Sequence, residues 1–163
     1  MKMKSVYLGI GTNLGDREGN LTKAVELIKE HIGPVKGMSS VYETEPWGFE
    51  SVNLFLNLTL RVETRLSLPR LLEKILMIES LMGRVRESKD YRSRIIDIDI
   101  LFYDKKIIDK EGFVIPHPLL PERRFVLVPL CEIARDLIHP VMGKSIRELL
   151  EECPDKSKVV KIN

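Results

Sequence analysis

The chain has 163 residues, 44% of them hydrophobic, which suffices for one well-buried core and is too short for two typical domains, so residues 1–163 read as a single domain. Lys and Arg number 26 against 24 Asp and Glu, a net charge of +2; this near-balance offers no whole-molecule field for nucleic acid or an acidic membrane, and any anion site must be local. No stretch approaches the roughly 20 apolar residues of a membrane span, and no long apolar leader opens the chain, so a soluble, cytoplasmic protein is expected.

Met1 to Ser5 lead directly into Val6–Gly11, a short apolar strand ending in glycines. Leu21, Ala24, Val25, Ile28 and Ile32 then recur at helical spacing until Gly33-Pro34 interrupts them. Val35–Tyr42 and Leu54–Glu63 read as strands, the second with Leu54, Leu56, Leu58, Leu60 and Val62 on one face, and Glu43–Asn53 between them reads as a loop. Ser67 and Pro69 open a second helix with Leu71, Leu72, Ile75, Ile78 and Met82 on its apolar stripe, and Gly83 ends it. A basic connection, Arg84–Arg94, precedes the most strand-like segment, Ile95–Tyr103. The order β-α-β-β-α-β predicts an α+β, ferredoxin-like sandwich: an antiparallel sheet with both helices on one face. C-terminal additions follow: a proline-rich stretch at Pro116–Pro121, an apolar segment Phe125–Leu130 running into a short helix, and a last helix opened by a Ser145/Glu148 capping box.

Two nucleotide motifs are only apparent. Gly9, Gly11 and Gly15 are spaced one residue too far for a dinucleotide fingerprint, and Gly143-Lys144-Ser145 lacks the first glycine of a P-loop, where Ile138 stands. Cys131 and Cys153 belong to no Cys/His cluster of metal-ligand spacing and read as reduced structural cysteines.

Asp97-Ile98-Asp99 is the informative site. Side chains alternate along a strand, so the two carboxylates share one face while Ile96, Ile98, Ile100 and Phe102 line the buried one. Two residues of rise, about 6–7 Å, suit a pair that grips one Mg²⁺ or bridges two. Such a pair also marks the solvated face of an edge strand. Five cations immediately upstream, Arg84, Arg86, Lys89, Arg92 and Arg94, tilt the balance, because Mg²⁺ and arginines neutralise the same polyphosphate oxygens. His117 lies between two prolines and ahead of Arg123 and Arg124, open to either a ligand or a structural role. The aromatics Trp47, Phe49, Phe55, Tyr91 and Phe125 could stack a planar heterocycle, with core packing the alternative for Phe55 and Phe125. On the residues alone, a domain that senses nucleotide or metal remains possible. Binding of single-stranded RNA on the sheet would want exposed aromatics where this chain has acids.

The runs Gly11-Thr12-Asn13-Leu14-Gly15-Asp16, Tyr42-Glu43-Thr44-Glu45-Pro46, Leu56-Asn57, Gly83-Arg84-Val85-Arg86, Arg94–Leu101 and Pro116-His117-Pro118 fall in order over nearly the whole chain. Together they resemble the hydroxymethyldihydropterin pyrophosphokinases of folate synthesis. The resemblance implies the ferredoxin-like fold and transfer of the β,γ-diphosphate of ATP to the hydroxyl of 6-hydroxymethyl-7,8-dihydropterin, with release of AMP, by a monomer or weak homodimer. It implies Asp97 and Asp99 as ligands of two Mg²⁺ ions, Arg84 and Arg94 as catalytic cations on the phosphates, and Glu79, Arg86, Ile100, His117 and Arg123 around the nucleotide. For the pterin it implies Thr44, Glu45, Trp47, Asn57 and Tyr91, with Phe55 and Phe125 as a sandwich. The chain departs from the family pattern at Tyr91, usually tryptophan, at Arg92-Ser93, usually Gly-Pro, and at Leu76, where some members carry glutamine.

Overall fold

The structure is a computed structural model and describes residues 2–47, 53–84 and 95–162. Along the chain it places β1 (Lys4–Thr12), α1 (Arg17–His31), β2 (Val35–Met38), β3 (Tyr42–Thr44), β4 (Phe55–Thr64), α2 (Leu68–Leu81) and β5 (Asp97–Tyr103). Then follow β6 (Ile108–Lys110), β7 (Phe113–Ile115), a 3₁₀ turn at Leu120–Glu122, α3 (Arg124–Ala134), α4 (Ile146–Glu152) and β8 (Val159–Lys161).

The main sheet is antiparallel and runs β5-β1-β4-β3-β8, with β2 also on β4. β2 and β3 succeed one another along the same edge of β4, against Leu60–Val62 and Phe55–Asn57. They are the predicted strand Val35–Tyr42, broken where Ser39 turns its hydroxyl to accept the Thr59 N–H, and extended to Thr44. Counted as one strand, they give the split βαβ order expected from the sequence.

One face of the sheet carries Val6, Leu8, Ile10, Leu56, Leu58, Leu60 and Val62, packed with the apolar stripes of α1 and α2 into the larger core. Leu54 is exposed and lies outside that face. The other face meets a second core built with Leu127 and Leu130 of α3 and Ile146 and Leu149 of α4. Phe102 belongs to this second core, contrary to the alternation read from sequence. Leu8 pairs with Ile100 while Tyr7 pairs with Phe102, so Leu101 is a bulge that reverses the faces beyond it. Phe125–Leu130 is part of α3 itself, which begins at Arg124. The capping box is formed: the Ser145 side chain accepts from Glu148 N, and Glu148 accepts from Ser145 N, both at 3.1 Å. Neither cysteine forms a disulfide, and among the described residues no helix is long and apolar enough to cross a membrane.

Candidate active site

The site starts from two residues without side chains. On β1, Gly11 pairs with Asp97 on one side and Asn57 on the other, and Gly9 pairs with Asp99 and Thr59. Alternate residues of paired strands share a face, so two glycines floor a groove between an acidic bank on β5 and an amide and hydroxyl bank on β4. Two interstrand spacings separate the banks, about 9–10 Å. A Cβ on Gly11 would stand 2.6 Å from Asn57 Oδ1, so the close approach of the amide requires glycine there. Asn57 Nδ2 in turn donates to Thr44 Oγ1 at 2.6 Å, which fixes the amide's orientation. Gly9 and Gly11 carry the sequence signal for this floor: glycines two apart in a strand leave one face of it bare.

Above the floor is a cavity of about 230 Å³, lined by Thr44, Glu45, Trp47, Phe55, Asn57, Asp97, Asp99, His117, Arg123 and Phe125 among others. Ten predicted site residues, drawn from β3, β4, β5, α3 and the loops that follow β3 and β7, thus meet in one place. Gly9, Thr59, Leu101 and Leu119 also line it and were not anticipated. The volume suits one planar heterocycle and is below the roughly 300–1,000 Å³ of pockets that bury larger ligands.

Arg123 is buried at 6% exposure, its guanidinium 4.6 Å from the Trp47 ring centroid and 5.6 Å from that of Phe125. Aromatic faces hold such a cation where water cannot solvate it, leaving its charge to act inside the cavity. His117 Nδ1 accepts the Leu119 N–H at 3.2 Å, so the neutral ring carries its proton on Nε2. Burial, then the Arg123 cation, push its pKa from the ordinary 6.5 down to about 4, against an upward pull from Asp97. At neutral pH it is a hydrogen-bond donor with no charge.

A second cation reaches the acidic bank through a helix end. α2 closes with Gly83 at φ 91°, Gly83 N bonded to Ser80 O at 3.0 Å and Arg84 N to Glu79 O at 3.0 Å. This Schellman turn folds Arg84 back over its own helix. Arg84 Nη1 donates to Glu79 Oε2 at 2.6 Å and to Asp97 Oδ1 at 2.8 Å, and Glu79 Oε2 also accepts Ile98 N at 2.9 Å. Glu79 is 1% exposed and lies beneath Arg84, where it joins the end of α2 to the start of β5. It is not among the residues that line the cavity. The Ile100 side chain points into the larger core, so only its main chain is available to a ligand. Leu76 is half exposed on α2 and away from the cavity lining. Arg86, Tyr91, Arg92, Ser93 and Arg94 lie outside the described residues, as do Phe49 and Lys89.

Among the described residues no three or more His, Cys, Asp or Glu side chains group as a metal site. Asp97 and Asp99 alone supply hard oxygens from one strand face, a donor set that fits Mg²⁺, which usually keeps waters and substrate phosphates as its remaining ligands. Asp97 Oδ1 is bonded to Arg84, so the cation and a metal ion would share that carboxylate.

A family model described as 7,8-dihydro-6-hydroxymethylpterin-pyrophosphokinase matches residues 7–135. The 2-amino-4-hydroxy-6-hydroxymethyldihydropteridine pyrophosphokinase of Aquifex aeolicus is 41% identical over 150 residues, 92% of each chain. That of Methylorubrum extorquens is 43% identical over 149 residues, 91% of this chain and 92% of the other. A crystal structure of wild-type Plasmodium falciparum HPPK-DHPS with STZ-DHP superposes with a TM-score of 0.75 at 20% identity, over 93% of this chain and 43% of that longer one. This last likeness concerns the fold.

Proposed function

The chain belongs to the 7,8-dihydro-6-hydroxymethylpterin-pyrophosphokinase family, and we propose that the groove on β1 is where it passes the β,γ-diphosphate of ATP to 6-hydroxymethyl-7,8-dihydropterin. AMP leaves and the pterin diphosphate is formed, a step of folate biosynthesis. The single observation that carries this assignment is the placing of Asp97 and Asp99 opposite Asn57 and Thr59 across Gly11 and Gly9, under an aromatic wall.

Each bank does different work. Phe55 and Phe125 offer apolar faces for the pterin ring, and the Asn57 amide, held by Thr44, can accept and donate at once along the ring's edge. That places the hydroxymethyl group toward the acidic bank, where the diphosphate must arrive. Mg²⁺ bound by Asp97 and Asp99 would neutralise the polyphosphate and the charge that develops in transfer. Arg84 and Arg123 add cations at two edges of the same space, and His117 donates from Nε2 without adding charge. Attack of the pterin hydroxyl on the β-phosphorus, in line with the departing AMP, then needs positioning and charge neutralisation and no covalent enzyme intermediate. Arg86 and Arg94 complete the proposed phosphate contacts.

Incubation of the protein with ATP, Mg²⁺ and the pterin alcohol tests the assignment. AMP and the pterin diphosphate in equal amounts are expected; tight binding of both substrates with no AMP would make the protein a sensor, and ADP would make it a different kinase.

A further inference from the structure

The cavity continues past Asn57. One residue pair further along the same face, Thr59 lies across Gly9 from Asp99, and all three line the cavity. Thr59 is 1% exposed. Its backbone is satisfied by Ser39, which donates N–H to Thr59 O at 2.9 Å and accepts Thr59 N–H at Oγ at 2.9 Å. Its hydroxyl makes no hydrogen bond among the described residues, although the hydroxyls of Thr44, Thr64 and Ser39 on the same sheet all do. That leaves the hydroxyl to whatever occupies the cavity it lines; a valine would fill the same volume and offer no such group.

We propose that Thr59 is a specificity-determining residue for the pterin, its hydroxyl hydrogen-bonding the polar edge of the ring directly or through one held water. The inference rests on the pterin assignment above and extends the recognition bank from Asn57 to a second position. Asn57 and Thr59 are two residues apart on a strand, so their side chains rise about 6–7 Å apart, a distance that the edge of a fused bicyclic ring spans. That edge alternates donors and acceptors, and a hydroxyl can serve either. Gly9 is what makes the position reachable: with no side chain between Asp99 and Thr59, the ring or its water can sit over the strand. A Cβ built on Gly9 has Leu101 carbons as its nearest atoms, at 3.5–3.7 Å, ordinary contact. The fold therefore tolerates a methyl there, and its absence leaves space in the cavity.

The test compares steady-state KM for the pterin alcohol and for ATP in wild type, Thr59→Val, Thr59→Ser and Gly9→Ala, with melting temperature measured for each. Loss of one satisfied hydrogen bond predicts about a tenfold higher pterin KM in T59V, with ATP KM and melting temperature unchanged. T59S keeps the hydroxyl and is expected within about twofold of wild type, a rescue that a packing role alone would not give. G9A is expected to raise pterin KM while melting like wild type. A T59V enzyme with wild-type pterin KM overturns the inference and leaves the pterin assignment intact. A wild-type protein that releases no AMP overturns the assignment, and this inference with it.

Discussion

At the residue scale, most of the site rests on small steric and polar facts. Gly11 leaves room for the Asn57 oxygen. Gly11→Ala should therefore displace the amide, raising pterin KM by about tenfold or more, with little change in ATP KM; equal pterin KM in the two proteins would contradict the placement of Asn57. Glu79 is buried and accepts from both Arg84 and Ile98 N. Its removal leaves Ile98 N without its acceptor and a guanidinium that is 9% exposed with Asp97 as its remaining carboxylate, so Glu79→Ala should cost about 1–3 kcal/mol by denaturant unfolding. It should also lower turnover, because the start of β5 carries Asp97. Asp97 and Asp99 were legible from sequence because their spacing alone sets a shared face. The bonds of Glu79 to Arg84 and Ile98 N were not legible, because nothing in its helical position reveals that Gly83 folds Arg84 onto it.

At the element scale, α3 is the lid of the second core and delivers Phe125 to the cavity, so what holds it matters to the site. Glu132 of α3 accepts from Tyr42 Oη at 2.5 Å, Ser40 N at 2.9 Å and Ser40 Oγ at 3.1 Å. Burial raises the Glu132 pKa, and these bonds outweigh it and hold the carboxyl below its ordinary range. The same contact, after burial, pushes the Tyr42 hydroxyl up to about 12. Glu132→Ala should cost about 2 kcal/mol, or roughly 4–8 °C in Tm by calorimetry; an unchanged melt would show that α3 is held by its apolar contacts alone. The regular elements were readable where periodicity was long, as in α1, α2 and β4. The hairpin of β6 and β7 and the edge strand β8 were not, since three-residue strands carry no period. Nor could the bulge at Leu101 be read, because it follows from the register against β1 and leaves no mark in an unbroken apolar run.

At the scale of the whole molecule, helices α1 and α2 cover one face of the sheet and the C-terminal elements the other, and the groove opens where the second cover stops short of the end of β1. A half-buried histidine, His117, and a buried one, His139, couple this architecture to acidity. His117 titrates near 4, and burial also lowers His139, whose Nδ1 accepts Val141 N and Met142 N. Both bind protons more readily in the unfolded chain, which titrates near 6.5. Stability is therefore fully present above about 6.5 and is lost as pH falls toward 4; a Tm that stays level from pH 7 to pH 4.5 would contradict this. The fold class and the reaction were legible because the motifs run in order through nearly the whole chain, whereas the depth of the cavity depends on which strands become neighbours. The central claim is that Asp97 and Asp99 hold the metal on which diphosphate transfer depends. AMP release measured across a Mg²⁺ titration tests it most directly. Wild type should be inactive without the ion, and the Asp97→Ala/Asp99→Ala double variant should lose at least about 10³-fold at any Mg²⁺ concentration; wild-type AMP release by that variant would contradict the claim.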